Sequence, residues 1–209
     1  MESLLVRLEK ETPSELKERS LESLRFFQGR VRNLKLTAEG FYRQSDLQKA
    51  KSLLEGRMYT FFYDAKTKKK LPYWDRFPLV ILLELRQDGF TGLNLHYIPP
   101  RYRVKLLYEL YKYVVYDEDE MAEEEMRMKI KMTYSLLSGI QKLKSFKPCF
   151  KRYLTTQIEG RALEITPNYW DTMAMLPLAQ FQKENVRTVY SDSIRKINSW
   201  AQSPNYKHK

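Results

Sequence analysis

The stretch from Leu71 to Pro100 constrains the fold more than any other part of the chain. Leu79–Leu85 is an almost unbroken apolar run, typical of a strand buried on both faces. Asp88-Gly89 then offers the positive φ angles of a tight hairpin turn. Apolar and more polar residues alternate over Phe90–Ile98, and Pro99-Pro100 ends the strand because proline cannot donate to a β ladder. The stretch therefore predicts a β-hairpin.

The spacing of apolar residues changes on both sides of this hairpin. Met58–Tyr63 is a β-branched and aromatic strand with a period of two. Apolar residues recur at three- and four-residue steps before Met58, and again over 100–115 and 126–197. We therefore predict an α+β fold, in which a small antiparallel sheet of about three to five strands is flanked by several helices and preceded by a helical N-terminal segment.

Finer predictions follow from the same patterns. We expect helices at Ser45–Glu55, Cys149–Ile158 and Leu178–Ile197, a helix containing Trp170, and a short strand at Arg161–Ile165. We divide the chain into a helical N-terminal segment (1–57), a mixed α+β core domain (58–202) and a polar C-terminal tail (203–209).

Charge is the main functional indication in the composition. The chain carries 37 lysines and arginines against 26 acidic residues, a formal charge of +11, which favours nucleic acid or an anionic protein surface as partner. An acidic run at 116–125 contrasts with this and is typical of an exposed linker or helix start. The alternative is a segment that mimics phosphate or shields the basic surface until a partner binds. No apolar run approaches the 18 or so residues that cross a bilayer, so we expect no membrane contact.

Sequence motifs of catalysis are absent. The chain has no glycine-rich phosphate loop, no nucleophile elbow and no zinc-binding spacing, and it contains two histidines and one cysteine. We therefore expect no enzymatic activity, no cofactor, no metal site and no small-molecule substrate. A metal-dependent nuclease is a weaker alternative that would use strand carboxylates and nearby lysines. The candidates for it are Asp64, Asp75, Glu84, Asp88, Lys66 and Lys68, although Asp75 and Asp88 are better explained as turn residues.

The lone cysteine, Cys149, lies between basic residues in the segment KPCF. Such neighbours lower a thiol pKa, but a cysteine without a histidine partner is more often a small buried apolar residue.

Basic and aromatic residues supply the candidate nucleic-acid contacts. The basic ones cluster at a turn, at a helix start and around Cys149, positions that suit phosphate binding; they are Lys66, Lys68, Lys69, Lys70, Arg101, Arg103, Lys105, Lys142, Lys144, Lys147, Lys151 and Arg152. Tyr73 and Trp74, with Phe77 and Tyr97, are candidates for stacking on exposed bases. Two simpler interpretations stay open: the aromatics pack in the core, and the lysines form a solvated face.

Four segments give the chain a recognisable resemblance. They are YxFxYDxKTKxxLPYWDRFPLV, DGFxGLNLHYIPPRYR, KPCFKRYL and NYWDxxxxLPLxxFQK, and together they span Met58 to Lys183. The combination resembles the DNA end protector family of T-even-type contractile-tailed bacteriophages, whose members are head-completion proteins of the virion.

The resemblance carries functional expectations. It implies a virion protein, made in the host cytoplasm, that binds the ends of packaged double-stranded DNA during head completion and shields them after injection. Its partners would be double-stranded DNA ends and other virion proteins, and no catalytic residues come with the role. The alternative is a purely structural virion component of the neck, tail or baseplate with no direct DNA role.

Overall fold

A computed structural model of the 209-residue chain describes residues 26, 29, 36–44, 49–100, 102, 103, 106, 107 and 144–201. Its strands are β1 (Met58–Tyr63), β2 (Trp74–Asp75), β3 (Leu79–Arg86), β4 (Gly89–Asn94), β5 (Phe150–Leu154), β6 (Ile158–Ile165) and β7 (Phe181–Gln182). Its α-helices are α1 (Ala38–Tyr42), α2 (Trp170–Met175) and α3 (Val186–Ala201). Short 3-10 segments lie at Leu95–Tyr97, Lys144–Cys149, Thr155–Gln157 and Pro167–Tyr169.

An antiparallel sheet forms the centre of the described residues. Its five strands follow the order β5-β4-β3-β1-β6, and a second sheet pairs β2 with β7. The predicted α+β class and the small antiparallel sheet are confirmed.

The five-stranded sheet is strongly curved. Strands β5 and β6 lie at opposite edges, yet the three residues Thr155–Gln157 join them. The chain from Leu154 to Ile158 spans at most about 15 Å, whereas edge strands of a flat five-stranded sheet lie about 19 Å apart. The rings of Phe61 on β1 and Tyr153 on β5 accordingly lie 5.3 Å apart, although two strands separate them in the sheet. The sheet therefore has a narrow concave face.

Both faces of the sheet are buried, which explains the apolar run in β3. Val80 and Leu82 point to the concave face, which is filled by an aromatic cluster of Tyr59, Phe61, Tyr63, Phe90 and Tyr153. Leu79, Ile81 and Leu83 point to the convex face, where α1, α2 and Val189 of α3 cover them. The prediction of a strand buried on both faces is confirmed as far as Leu83; Leu85 is exposed.

The β3–β4 hairpin is confirmed, but the reason predicted for its turn is wrong. The turn residues are Gln87 and Asp88, and neither they nor Gly89 have a positive φ. Gly89 lies in β4 opposite Leu154, where a Cβ atom would overlap the carbonyl oxygen of Tyr153. Glycine is therefore needed here for the close approach of β5.

Strand β4 ends earlier than the alternating pattern predicts. Leu95–Tyr97 form a 3-10 turn because the Asn94 side chain accepts a hydrogen bond from the backbone N–H of His96 at 2.9 Å. All residues from Leu93 to Ile98 are buried, so Asn94 and His96 lie in the core and form no polar face.

Two predicted helices are wrong and one strand is longer than predicted. The segment predicted as a helix at Cys149–Ile158 contains β5, which hydrogen-bonds to β4. Residues 49–55 of the predicted Ser45–Glu55 helix are not helical, and Lys49 forms an isolated bridge with Leu163. The strand predicted at Arg161–Ile165 is confirmed as part of β6.

The C-terminal helices are partly as predicted. The helix containing Trp170 is confirmed as α2. The helix predicted from Leu178 begins only at Val186, because Phe181 and Gln182 pair with β2 and Lys183 adopts a φ of 70°.

Several predictions fall largely outside the described residues. Most of the helices predicted before residue 36 and over 101–143, the acidic run 116–125 and the tail 203–209 lie there. The domain boundaries at 57 and 202 stay predictions, although Phe41 of the N-terminal segment is fully buried in the core. Among the described helices, none is long and apolar enough to cross a membrane.

Candidate nucleic-acid interface

A buried carboxylate organises the region around β2. Asp75 accepts hydrogen bonds from the backbone N–H groups of Phe77 and Gln180, both at 3.1 Å. It also accepts one from the Asn94 side chain at 3.2 Å and lies 2.7 Å from His96 Nδ1. The sequence predicts Asp75 as a turn residue; it does close a turn onto Phe77, and it also ties β2 to β4 and to the segment before β7.

The protonation of this pair follows from its burial. Burial lowers the pKa of His96, so the neutral imidazole donates from Nδ1 to the carboxylate. Burial acts to raise the pKa of Asp75, but His96 and the other donors outweigh it and hold the pKa below its ordinary value. Asp75 is therefore a structural carboxylate whose acceptor positions are occupied.

Arg103 requires a correction, because the sequence predicts a phosphate contact and the residue is buried in the core. Its guanidinium donates to the carbonyl oxygens of Ile98 at 2.6 Å, Ala174 at 3.0 Å and His96 at 3.3 Å. It also donates to the Tyr190 hydroxyl. In this position Arg103 fastens the segment after β4 to α2 and α3, and it presents no donor to a phosphate.

The predicted lysine turn is exposed and is held in shape by a residue that sequence reasoning missed. Lys66, Lys68, Lys69 and Lys70 are all exposed. The ammonium of Lys183 donates to the carbonyl oxygens of Lys68 at 2.7 Å, Lys69 at 3.3 Å and Leu71 at 2.8 Å. Lys183 itself sits in a left-handed conformation that few non-glycine residues adopt. No local sequence signal separates it from an ordinary surface lysine.

The lysines of this turn differ in their pairing. Lys68 binds Asp64 through both carboxylate oxygens, at 2.9 and 2.8 Å. Lys66, Lys69 and Lys70 have no ion pair with any described residue. These three lysines are therefore the free cations of the turn within the described part of the chain.

Strand β5 supplies two further predicted residues. Arg152 is exposed and binds both carboxylate oxygens of Asp88, at 2.7 and 2.9 Å. The ammonium of Lys151 lies 4.1 Å from the centre of the Tyr97 ring and has no hydrogen bond or ion pair with a described residue. Burial lowers the pKa of Lys151 to about 8.

Residues of the turn and of β5 meet at one cavity of about 450 Å³, which we call the basic–aromatic pocket. The curvature of the sheet brings the residues of the turn and of β5 together although they lie far apart in sequence. Its basic lining residues are Lys66, Lys151 and Arg152, and its aromatic lining residues are Tyr63, Tyr73, Trp74, Tyr97, Phe150 and Tyr153. Asp75 and Asp88 also line it, and both are already paired as described.

The predicted stacking residues divide between this pocket and the core. Tyr73 and Trp74 are half-buried and line the pocket. Tyr73 donates to Asp192, and the indole N–H of Trp74 is buried without a hydrogen-bond partner among the described residues. Phe77 is fully buried and packs against Phe62, so it cannot reach a base.

The remaining predicted basic residues are not placed at the pocket, and Lys68, Lys69 and Lys70 of the lysine turn do not line it either. Arg101, Lys105 and Lys142 lie outside the described residues, and of Lys144 only the backbone is described, at the start of a 3-10 segment. Lys147 is exposed and does not line the pocket.

Three of the carboxylates that the nuclease alternative would use form ion pairs with three different basic residues. Asp64 pairs with Lys68, Glu84 with Arg86, and Asp88 with Arg152. In the part of the chain that the structure describes, no three histidine, cysteine or acidic side chains are grouped so as to hold a metal ion.

Cys149 is buried, as the apolar interpretation predicts. Burial raises the pKa of its thiol to about 12. The lowered pKa that its basic neighbours suggested is therefore wrong.

Comparison with known proteins agrees with the resemblance in the sequence. No curated protein matches the chain, and no solved structure does. Residues 37–197 match the family model described as the phage T4 terminal DNA protecting protein. Since that match covers most of the 209 residues, the chain belongs to the family of the phage T4 terminal DNA protecting protein.

Proposed function

We propose that this protein binds the ends of double-stranded DNA and protects them during head completion and after injection, without catalysing a reaction. The observation that carries the proposal for this chain is that Lys66 of the lysine turn and Lys151 and Arg152 of β5 line one aromatic-lined pocket. Membership of a family described as terminal DNA protecting proteins supports the same role.

The charges indicate how duplex DNA is held. Lys66, Lys69 and Lys70 are exposed, unpaired within the described residues, and carried on a turn whose backbone is fixed by Lys183. Ammonium groups arranged in this way neutralise phosphates without reading base sequence. Binding should therefore be strongly salt-dependent and nearly independent of sequence, as protection of any genome end requires.

The proposal also covers location and partners. A protein that joins the genome end at head completion works in the virion, is made in the host cytoplasm and contacts other virion proteins. The family description supports this setting. It requires neither a cofactor nor a small-molecule substrate.

The test is a competition between blunt linear duplex and closed circular duplex of equal mass, run at two salt concentrations. We expect the linear form to win at both concentrations, while the total affinity falls as salt rises. Equal binding to both forms would contradict end binding. Lack of binding to either form would favour the purely structural virion component.

DNA binding should also depend on pH through Lys151. We expect the affinity to fall as pH rises above about 8, because Lys151 then loses its proton and can no longer attract phosphate. The Lys151→Arg variant should show a flatter profile, because arginine stays charged over this range. The measurement is a series of binding titrations between pH 7 and 9.5.

The neighbouring ionisable groups do not titrate in the measured pH range, so the pH dependence of binding reports on Lys151. Loss of the Lys151 proton weakens DNA binding but stabilises the fold. Burial raises the pKa of both Tyr97 and Cys149, and the pKa of Asp192 is lowered chiefly by its hydrogen bond from Lys196, so none of the three titrates in the measured range. The positive charge of the nearby Lys196 also lowers the pKa of Lys151. Because the ordinary lysine pKa is 10.5, Lys151 by itself makes the free energy of unfolding rise with pH between about 8 and 10.5. The Cys149 thiol, whose pKa burial raises from 9.0 to about 12, contributes with the opposite sign above about 9. The Lys151→Arg variant removes only the lysine contribution, so the free energy of unfolding of the wild type should rise with pH relative to that variant, and an equal pH dependence of the two would contradict this assignment.

A further inference from the structure

We propose that the basic–aromatic pocket binds a single unpaired nucleotide at the terminus of a DNA strand. The inference rests on the proposed end binding and adds how an end is distinguished from the interior of a duplex.

The size of the pocket selects the ligand. A volume of about 450 Å³ falls within the ~300–1,000 Å³ of typical small-molecule sites. One nucleotide fits such a space, whereas a base-paired duplex does not. A DNA chain can therefore occupy the pocket only with a nucleotide that has left the stack.

The lining matches the two parts of a nucleotide. Tyr73, Trp74 and Phe150 are the half-buried aromatic residues of the wall, and every base can stack on such side chains whatever its identity. Lys151 is partly buried against Tyr97, and no ion pair or hydrogen bond joins its ammonium to a described residue. A desolvated cation of this kind is stabilised by an anion, and a nucleotide supplies one in its phosphate.

The acidic residues of the lining do not oppose this ligand strongly. Asp75 already accepts hydrogen bonds from Phe77, Gln180 and Asn94 and pairs with His96. Asp88 is bound through both oxygens to Arg152. Lys66 and Lys151 are left as the unpaired charges of the described lining, so its balance favours an anion.

Such a pocket distinguishes DNA ends from internal sites by the free energy needed to place a nucleotide in it. An internal nucleotide must be extruded from the duplex, which costs a few kcal/mol, and the cost is least for a nucleotide that is already single-stranded. A terminal nucleotide has a stacking neighbour on one side only. Closed circular DNA therefore reaches the lysine turn but not the pocket, and linear DNA reaches both.

The experiment compares linear duplexes that are blunt or carry one overhanging nucleotide, on the 3′ or the 5′ strand. Each overhang is made with a base and as an abasic nucleotide that keeps its phosphate. We expect one overhang polarity to bind about tenfold more tightly than the blunt duplex, and that gain to vanish in its abasic form, since base–aromatic stacking contributes about 1–3 kcal/mol. The favoured polarity identifies the strand that enters the pocket.

Three variants test whether this gain in affinity depends on the pocket. Lys151→Met keeps an apolar chain over Tyr97 and removes a partly buried charge, and Lys66→Met changes an exposed residue, so both should fold. Each should lose most of the overhang gain, while Lys147→Met, at an exposed lysine outside the pocket, should keep it.

The outcomes separate this inference from end binding itself. If linear DNA is preferred over circular DNA but overhangs with and without a base bind equally in both polarities, the pocket inference is wrong and end binding stands. An overhang gain that survives both pocket variants also overturns it. Equal binding of linear and circular DNA would remove the proposed function as well.

Discussion

Replacing Arg103 with methionine should lower the free energy of unfolding by about 3–5 kcal/mol. The change leaves the buried carbonyl oxygens of Ile98 and Ala174 and the Tyr190 hydroxyl without their donor. For a chain of this size the loss corresponds to a fall in Tm of about 10 °C. Thermal and urea unfolding of the purified protein measure both quantities.

Arg195→Met is the matched control for this prediction. Its side chain is 79% exposed and pairs with Asp192 on the surface of α3, so we expect a change of less than about 0.5 kcal/mol. If Arg103→Met unfolds like the wild type and instead weakens DNA binding, Arg103 is a phosphate contact as the sequence alone suggested, and the buried position is wrong.

The triple change of Lys66, Lys69 and Lys70 to alanine should reduce affinity for linear duplex on the order of 100-fold at 50 mM salt. Each lost phosphate contact should also lower the slope of log affinity against log salt by about one. The fold should survive, because exposed turn lysines contribute little to stability. Binding titrations at four or more salt concentrations give the slope, and circular dichroism checks the fold.

A second triple variant controls for net charge. Lys51, Arg187 and Arg195 are exposed and lie in neither the lysine turn nor the pocket lining. Their replacement by alanine removes the same charge, so a general electrostatic effect would weaken binding equally in both triple variants. Equal losses would mean that the lysine turn is only a solvated face.

Elements with a strong local pattern could be predicted from the sequence. Strand β1 and the β3–β4 hairpin have residue types and a periodicity that depend on neighbouring positions alone. The local sequence of strand β5 led to the prediction of a helix. That prediction is wrong because the conformation of this segment depends on pairing with β4, which is far removed in sequence. Lys151 and Tyr153 share one face of this strand, but one is charged and the other apolar, so no alternation is visible.

The candidate site depended even more on long-range structure. Local sequence could identify Lys66, Lys151, Tyr73 and Trp74 as candidates, but only the curved sheet shows that they line one pocket. Arg103 looks like its basic neighbours in sequence, and its burial follows from carbonyl oxygens that other elements supply.

Exonuclease protection tests the central claim most directly. A linear duplex labelled internally is incubated with the protein at about two molecules per end, then with a processive exonuclease or with an endonuclease that cuts at one internal site. We predict that the exonuclease leaves the duplex intact while the endonuclease cuts at its normal rate. Unchanged digestion by the exonuclease, or equal inhibition of both nucleases, would contradict specific protection of DNA ends.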